Sequence, residues 1–150
     1  MIERLREFLT ESLKIEGIIR PPTSEETRVS SLFLEKLLVD VGDMENIVSV
    51  FAPGALLRAS KGMDVRVGSH YPPRGGENIR QMLEVVLKFA GVKNPDPFHT
   101  HKEYENLHPF TDGNGRSGRL LWLWQMWRLG EYPKSFLHKW YYQSLGEAPR

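Results

Sequence analysis

The 150-residue chain contains no cysteine. That excludes a disulfide framework, a cysteine zinc site and a thiol nucleophile, and it is compatible with a reducing compartment. No apolar run reaches the ~20 residues needed to cross a bilayer. The opening MIERLREFLTESLK carries charges every few residues, so it lacks the apolar core of a signal peptide. Charge of one sign is also missing. The formal net charge is +1 with acids and bases interspersed, and there is no basic stripe for nucleic acid or a membrane surface. Repeats and low-complexity tracts are absent. A cytoplasmic protein without membrane or nucleic-acid partners is the resulting expectation. With 40% hydrophobic residues, the chain can form one globular domain that buries roughly 70% of its unfolded surface.

Helical periodicity dominates what is present. Ile2, Leu5, Leu9 and Leu13, with Phe8 beside them, predict a first helix ending near Gly17, ahead of Pro21-Pro22. Thr23 or Ser24 can cap a second helix running through SLFLEKLLVDV to about Gly42. A shorter helix is expected over Met44 to Phe51, stopped by Pro53-Gly54. The alternation in MDVRV, with Gly62 ahead of it, suggests a β-hairpin or flap between Leu56 and Val67, followed by a Gly/Pro-rich loop. Further helices are expected over Glu77 to Ala90, over PFHTHKEYENL, over Gly115 to Leu129 and over Pro133 to Ser144. The class is mainly α with one small β element.

The stretch HPFTDGNGRSGR, His108 to Arg119, concentrates the chemistry. Its glycines would weaken a helix interior, but at a helix N-terminus they let successive N–H groups converge on an anion. A helix start adds free donors and the positive end of the dipole. Gly113-Asn114-Gly115 followed by LLWLWQMW therefore reads as a phosphate cradle on a buried helix. Arg116 and Arg119, three apart, share a helix face and add charge beside it. Asp112 would oppose a phosphate unless a cation stands between them, and Mg²⁺ binds in that way. His108 is the candidate general base. Residues 113–118 also fit G-x-G-x-x-G, but the preceding HTHKEYENL reads as helix, so a dinucleotide-binding βαβ unit is rejected. His99 and His101, two apart, point in different directions on a helix and do not suggest zinc. Trp122, Trp124 and Trp127 read as core, and Tyr141 and Tyr142 as surface packing.

HPFTDGNGRSGR resembles the signature of Fic domains, H-P-F-x-[D/E]-G-N-G-R-x-x-R, at every specified position. Glu105-Asn106-Leu107 resembles the usual lead-in, and VRVGSHYPP resembles the segment after the family's flap. Ser12-Leu13-Lys14-Ile15-Glu16-Gly17 is similar to the inhibitory motif [S/T]-x-x-x-E-[G/N]. The resemblance implies one Fic domain over residues 1–150. Within it, 1–20 would be an N-terminal inhibitory helix, 54–73 the flap and following loop, and 95–130 the signature loop with its flanking helices. The implied activity is protein adenylylation, the transfer of AMP from ATP with Mg²⁺ to a Ser, Thr or Tyr hydroxyl of a target protein. His108 would deprotonate the hydroxyl and Asp112 would hold Mg²⁺. Gly113, Asn114 and Gly115 would form the anion hole, and Arg116 and Arg119 would contact the phosphates, with Phe110 a core anchor. Leu57, Arg58, Met63 and Val65 would dock the target by strand addition. Glu16, with Ser12 and Gly17, would inhibit in cis by pairing with Arg119.

Rival readings remain open at this point. The same site could remove AMP, or transfer UMP, phosphate or phosphocholine, although the intact Gly113-Asn114-Gly115-Arg116 favours nucleotide over phosphate transfer. An inactive regulatory or binding module is the alternative from another class, and the complete set of His108, Asp112, Asn114, Arg116 and Arg119 argues against it. Self-modification and a homodimer are likewise open.

Overall fold

Residues 2–92 and 96–130 are described by the structure, a computed structural model. Six helices follow in order: α1 (Ile2–Ile15), α2 (Ser24–Leu34), α3 (Val41–Phe51), α4 (Glu77–Ala90), α5 (Pro97–Leu107) and α6 (Asn114–Arg128). The expected helix over Pro133 to Ser144, and Tyr141 and Tyr142, lie outside the described residues. Among the described residues, no helix is long and apolar enough to cross a membrane.

The bundle is built around α6. Leu120, Leu121, Trp122, Leu123 and Trp124 are all buried, although successive residues point to different sides of a helix. A helix apolar all round needs neighbours all round. It packs against α1, α2, α3 and α5, most closely against α5. The Trp122 ring lies 6.1 Å from Phe8 and 5.8 Å from Phe98, centroid to centroid. The Trp124 indole N–H donates to the Lys36 carbonyl at 2.9 Å, so a polar edge in the core is satisfied. Helix α4 lies further out and packs on α3 and α5. Its inward stripe is Ile79, Leu83, Leu87 and Ala90.

Close approach of α5 and α6 depends on Gly118. A Cβ there would stand 2.5 Å from Glu105 Oε1 and 2.8 Å from Tyr104 Cδ1. Tyr104 is fully buried and its hydroxyl is hydrogen-bonded to Ser117 Oγ at 2.7 Å, so it has little room to yield. Gly118→Ala is expected to destabilise the fold by about 1–3 kcal/mol through overpacking. Urea unfolding checks this, and an unchanged midpoint would mean that α5 can slide outward.

Two expectations need correction. The second helix does not reach Gly42. It stops at Leu34, because Asp40 begins a new one: its side chain accepts from the Asp43 N–H at 2.8 Å, and Asp43 accepts from the Asp40 N–H at 2.9 Å. This capping box starts α3 at Val41 and places Gly42 inside it. The β-hairpin flap is also absent, since no β-strand occurs among the described residues. Between Leu56 and Val67 the backbone groups find other partners. Arg58 N–H donates to the Pro109 carbonyl and Thr111 N–H to the Leu56 carbonyl, both at 2.9 Å, which makes an isolated antiparallel bridge between Leu57 and Phe110. The Met63 carbonyl, which a hairpin would pair with a facing strand, accepts from the Arg58 guanidinium at 3.0 Å. Asp64 caps the Gly75 N–H at 2.8 Å. At Gly75 a Cβ would meet the Met63 and Ser60 carbonyl oxygens at 2.6 and 2.7 Å, so the segment folds back on itself instead of extending.

Candidate active site

The site forms where α5 ends and α6 begins. His108 caps α5 in the left-handed conformation (φ 50°, ψ 62°), and it is the one non-glycine residue with positive φ among the described residues. Its N–H donates to the Tyr104 carbonyl at 3.0 Å. Pro109 then prevents the helix from continuing. Phe110 enters the core as expected, 1% exposed. The Asn114 side chain closes the loop by accepting from the Phe110 N–H at 2.9 Å and donating to its carbonyl at 2.8 Å. Asn114 is therefore buried and acts through the shape of the loop, so any anion hole here is made by backbone. Gly113, left-handed at φ 78°, begins α6 with no side-chain cap. The helix start thus keeps free N–H donors and a positive dipole end facing the loop.

Three charged residues surround that helix start. Asp112 is 71% exposed at the side chain, and its Oδ1 accepts from the Gly113 N–H at 2.8 Å. Arg116 donates to the Phe51 carbonyl at 2.7 Å and reaches Asp112 at 3.4 Å. Arg119 is buried. It donates from Nε to Ser12 Oγ at 2.8 Å, and from Nη2 to the Ser12 carbonyl at 2.9 Å and to Glu16 Oε1 at 3.0 Å.

The sequence around Gly17 explains how Glu16 arrives there. Gly17 is left-handed at φ 77°; its N–H donates to the Lys14 carbonyl and the Ile18 N–H to the Leu13 carbonyl, at 2.9 and 3.0 Å. That pair is the Schellman arrangement, which ends α1 and leaves Glu16 on its last turn. Ser12 lies one turn earlier on the same face. The Glu16 carboxylate rests against Gly115 so closely that a Cβ on that glycine would collide with Oε1. An acid thus occupies the anion-receiving end of α6.

His108 is mostly buried, and burial lowers its pKa below the ordinary histidine value. The charges of Arg58 and His70 add to this, while the Glu105 carbonyl and Glu16 oppose it. Its ring is therefore neutral, the form a general base requires. His101 is a second, unrelated histidine. It is buried beside Arg119, has Nδ1 3.0 Å from the Gly118 carbonyl, and has a pKa pushed down to about 3 mainly by burial. It packs in the core.

The structure thus brings Ser12, Glu16, His108, Asp112, Gly113, Asn114, Gly115, Arg116 and Arg119 to one end of α6. Leu57, Arg58, Met63 and Val65 form no docking strand. Leu57 and Arg58 are buried. Arg58 donates from Nε to the His108 carbonyl at 2.6 Å and from Nη2 to the Leu107 carbonyl at 2.8 Å. A charged residue inside the apolar run GALLRAS was the signal for such a buried role. The contact of His70 Nε2 with the Asn106 carbonyl, at 2.9 Å, carries no sequence signal.

Among the described residues, no group of three or more acidic, histidine or cysteine side chains could hold a metal. Mg²⁺ needs only one or two carboxylates when phosphate oxygens and water complete its shell. The exposed Asp112 carboxylate beside the anion-receiving helix start fits that need.

Residues 64–126 match the Fic/DOC family. Protein adenylyltransferase Fic of Aedes aegypti is 33% identical over 51% of this chain and 17% of its own length. The protein of the same name from Drosophila erecta is 35% identical over 50% of this chain and 16% of its own. The chain therefore spans about a sixth of these relatives. Fic-1 (residues 134–508) from C. elegans shares the fold, with TM-score 0.52 and 18% identity, over 97% of this chain and 56% of that one. The matched segment contains the whole signature from His108 to Arg119, and the likeness to Fic-1 is one of fold.

Proposed function

We propose that the chain is a protein adenylyltransferase held inactive by its own first helix. One observation carries the reading: the Glu16 carboxylate is paired with buried Arg119 and seated against Gly115, where a phosphate would be received. In the active state the γ-phosphate of ATP takes the place of Glu16 at Arg119, and Arg116 contacts the neighbouring phosphates. The N–H groups of Asn114 and Gly115 receive phosphate oxygens, as helix starts do. Mg²⁺ held by Asp112 would supply charge neutralisation on the α- and β-phosphates. A target hydroxyl gives its proton to the His108 ring as its oxygen bonds the α-phosphorus. The bond from that phosphorus to the bridging oxygen breaks, and pyrophosphate leaves. Such a transfer needs positioning and charge stabilisation more than covalent catalysis.

Comparing α- and γ-labelled ATP with the Glu16→Gly variant tests the transferred group. Protein labelled only from the α position supports adenylylation; label from the γ position means phosphate transfer, and the proposal is wrong.

The state of His108 sets the pH dependence. Its pKa is lowered, so raising the pH through neutrality changes nothing at this base, and kcat/KM falls only as the pH drops below about 6.5. In Glu16→Gly the acid limb moves lower still, because one of the groups raising the pKa is gone. An acid limb centred above the ordinary histidine value would contradict this assignment.

A further inference from the structure

We propose that Arg58 is a positioning residue for His108, tying the end of α5 to the 60–75 loop and thereby fixing where the histidine ring stands. The proposal rests on the transferase reading for its consequence and on geometry alone for its existence.

The Arg58 guanidinium is fully buried and donates to four backbone carbonyls. Two belong to the end of α5: His108 at 2.6 Å and Leu107 at 2.8 Å. Two belong to the loop: Met63 at 3.0 Å and Pro73 at 2.8 Å. Its backbone is held as well, since the N–H donates to the Pro109 carbonyl and the carbonyl accepts from the Gly76 N–H, each at 2.9 Å. Arg58 therefore grips both neighbours of His108 and the His108 carbonyl itself.

That grip matches what His108 requires. A non-glycine residue rarely holds a left-handed backbone unless its surroundings fix it. The last carbonyls of a helix lack intrahelical partners and carry the negative end of its dipole, so a cation there is favoured. Lysine could supply the charge but not the fork, which reaches both sides at once through a planar set of five donors. Three titratable groups from separate segments face the histidine: Arg58, His70 in the loop and Glu16 at the end of α1. Arg58 is the one that also holds its backbone.

Two arms test this in Arg58→Lys and Arg58→Met. The first uses NMR on the full chain, reading the His108 φ from its backbone coupling and its ring titration; it requires no activity. In Arg58→Met the left-handed signature should weaken and the ring pKa rise. In Arg58→Lys the signature should weaken while the pKa stays nearer the parent. The second uses the Glu16→Gly background. Arg58 touches no proposed nucleotide group, so KM for ATP should stay within about threefold while kcat falls about 10–100-fold, as expected for a misplaced base. If folded Arg58→Lys keeps both the His108 backbone signature and the parent kcat, the proposal is overturned. Should Arg58→Met fail to fold, Arg58→Lys decides alone. Should the Glu16→Gly parent show no transfer, the transferase reading fails, and the NMR arm still decides the role of Arg58.

Discussion

Replacing Glu16 by glycine should raise the rate of ATP-dependent protein modification at least about tenfold. A hydrogen bond to a charged group contributes about 1.5–3 kcal/mol, and each 1.4 kcal/mol is a factor of ten. The Glu16 side chain is 35% exposed, so the lower part of that range applies. Arg119 should keep its place in the variant, because Ser12 still accepts from it through both Oγ and its carbonyl. The variant therefore removes the competing carboxylate while Ser12 holds Arg119 in place. Glycine on the last turn of α1 costs about 0.5–1 kcal/mol, too little to unfold the domain. Glu16→Gln should give an intermediate rate, since it removes the charge but leaves the bulk. Pyrophosphate release at one subsaturating ATP concentration measures all three. If wild type and Glu16→Gly are equally fast, Glu16 is no brake.

Removing the base should have a larger effect. In the Glu16→Gly background, His108→Ala should lower kcat about 10²–10⁴-fold, the usual contribution of a positioned general base. His108→Asn is the cleaner variant. Asparagine tolerates the left-handed backbone that His108 adopts, so the loop keeps its geometry while the base is lost. ATP affinity should hold in both, because His108 faces the hydroxyl and not the phosphates in this reading. A loss of affinity with kcat retained would move His108 from catalysis to nucleotide binding.

The sequence made some of this readable and concealed the rest, for physical reasons. The helix stripes were plain in α1 and α4, whose apolar residues repeat every three or four positions against charged faces. The buried helix α6 was equally plain, since LLWLWQMW has no polar face to offer water. The end of α2 was misjudged because the apolar run after Leu34 masked a short-range signal, the Asp40–Asp43 box. Leu37 and Leu38 from that run are in fact 84% and 71% exposed. The flap failed for a different reason. Alternation in MDVRV records side-chain character only, whereas strand formation depends on where carbonyls and N–H groups find partners. Here Arg58 and Asp64 supply side-chain partners for backbone groups across the loop. At the site, the signature loop was legible because its chemistry is contiguous. The pairing of Glu16 with Arg119 spans 103 residues, and no local spacing encodes it; the short Ser12–Glu16–Gly17 pattern pointed to it only through family resemblance.

The central claim is that Arg119 is contested between Glu16 and the tail of ATP, with His108 waiting for the hydroxyl. The most direct measurement incubates wild type, Glu16→Gly and Glu16→Gly/His108→Asn with α-labelled ATP and Mg²⁺ in a cell lysate, and reads label on protein. Strong labelling by Glu16→Gly, weak labelling by wild type and none by the double variant is the predicted result. Equal labelling by all three, or none by Glu16→Gly with any nucleoside triphosphate, would contradict it.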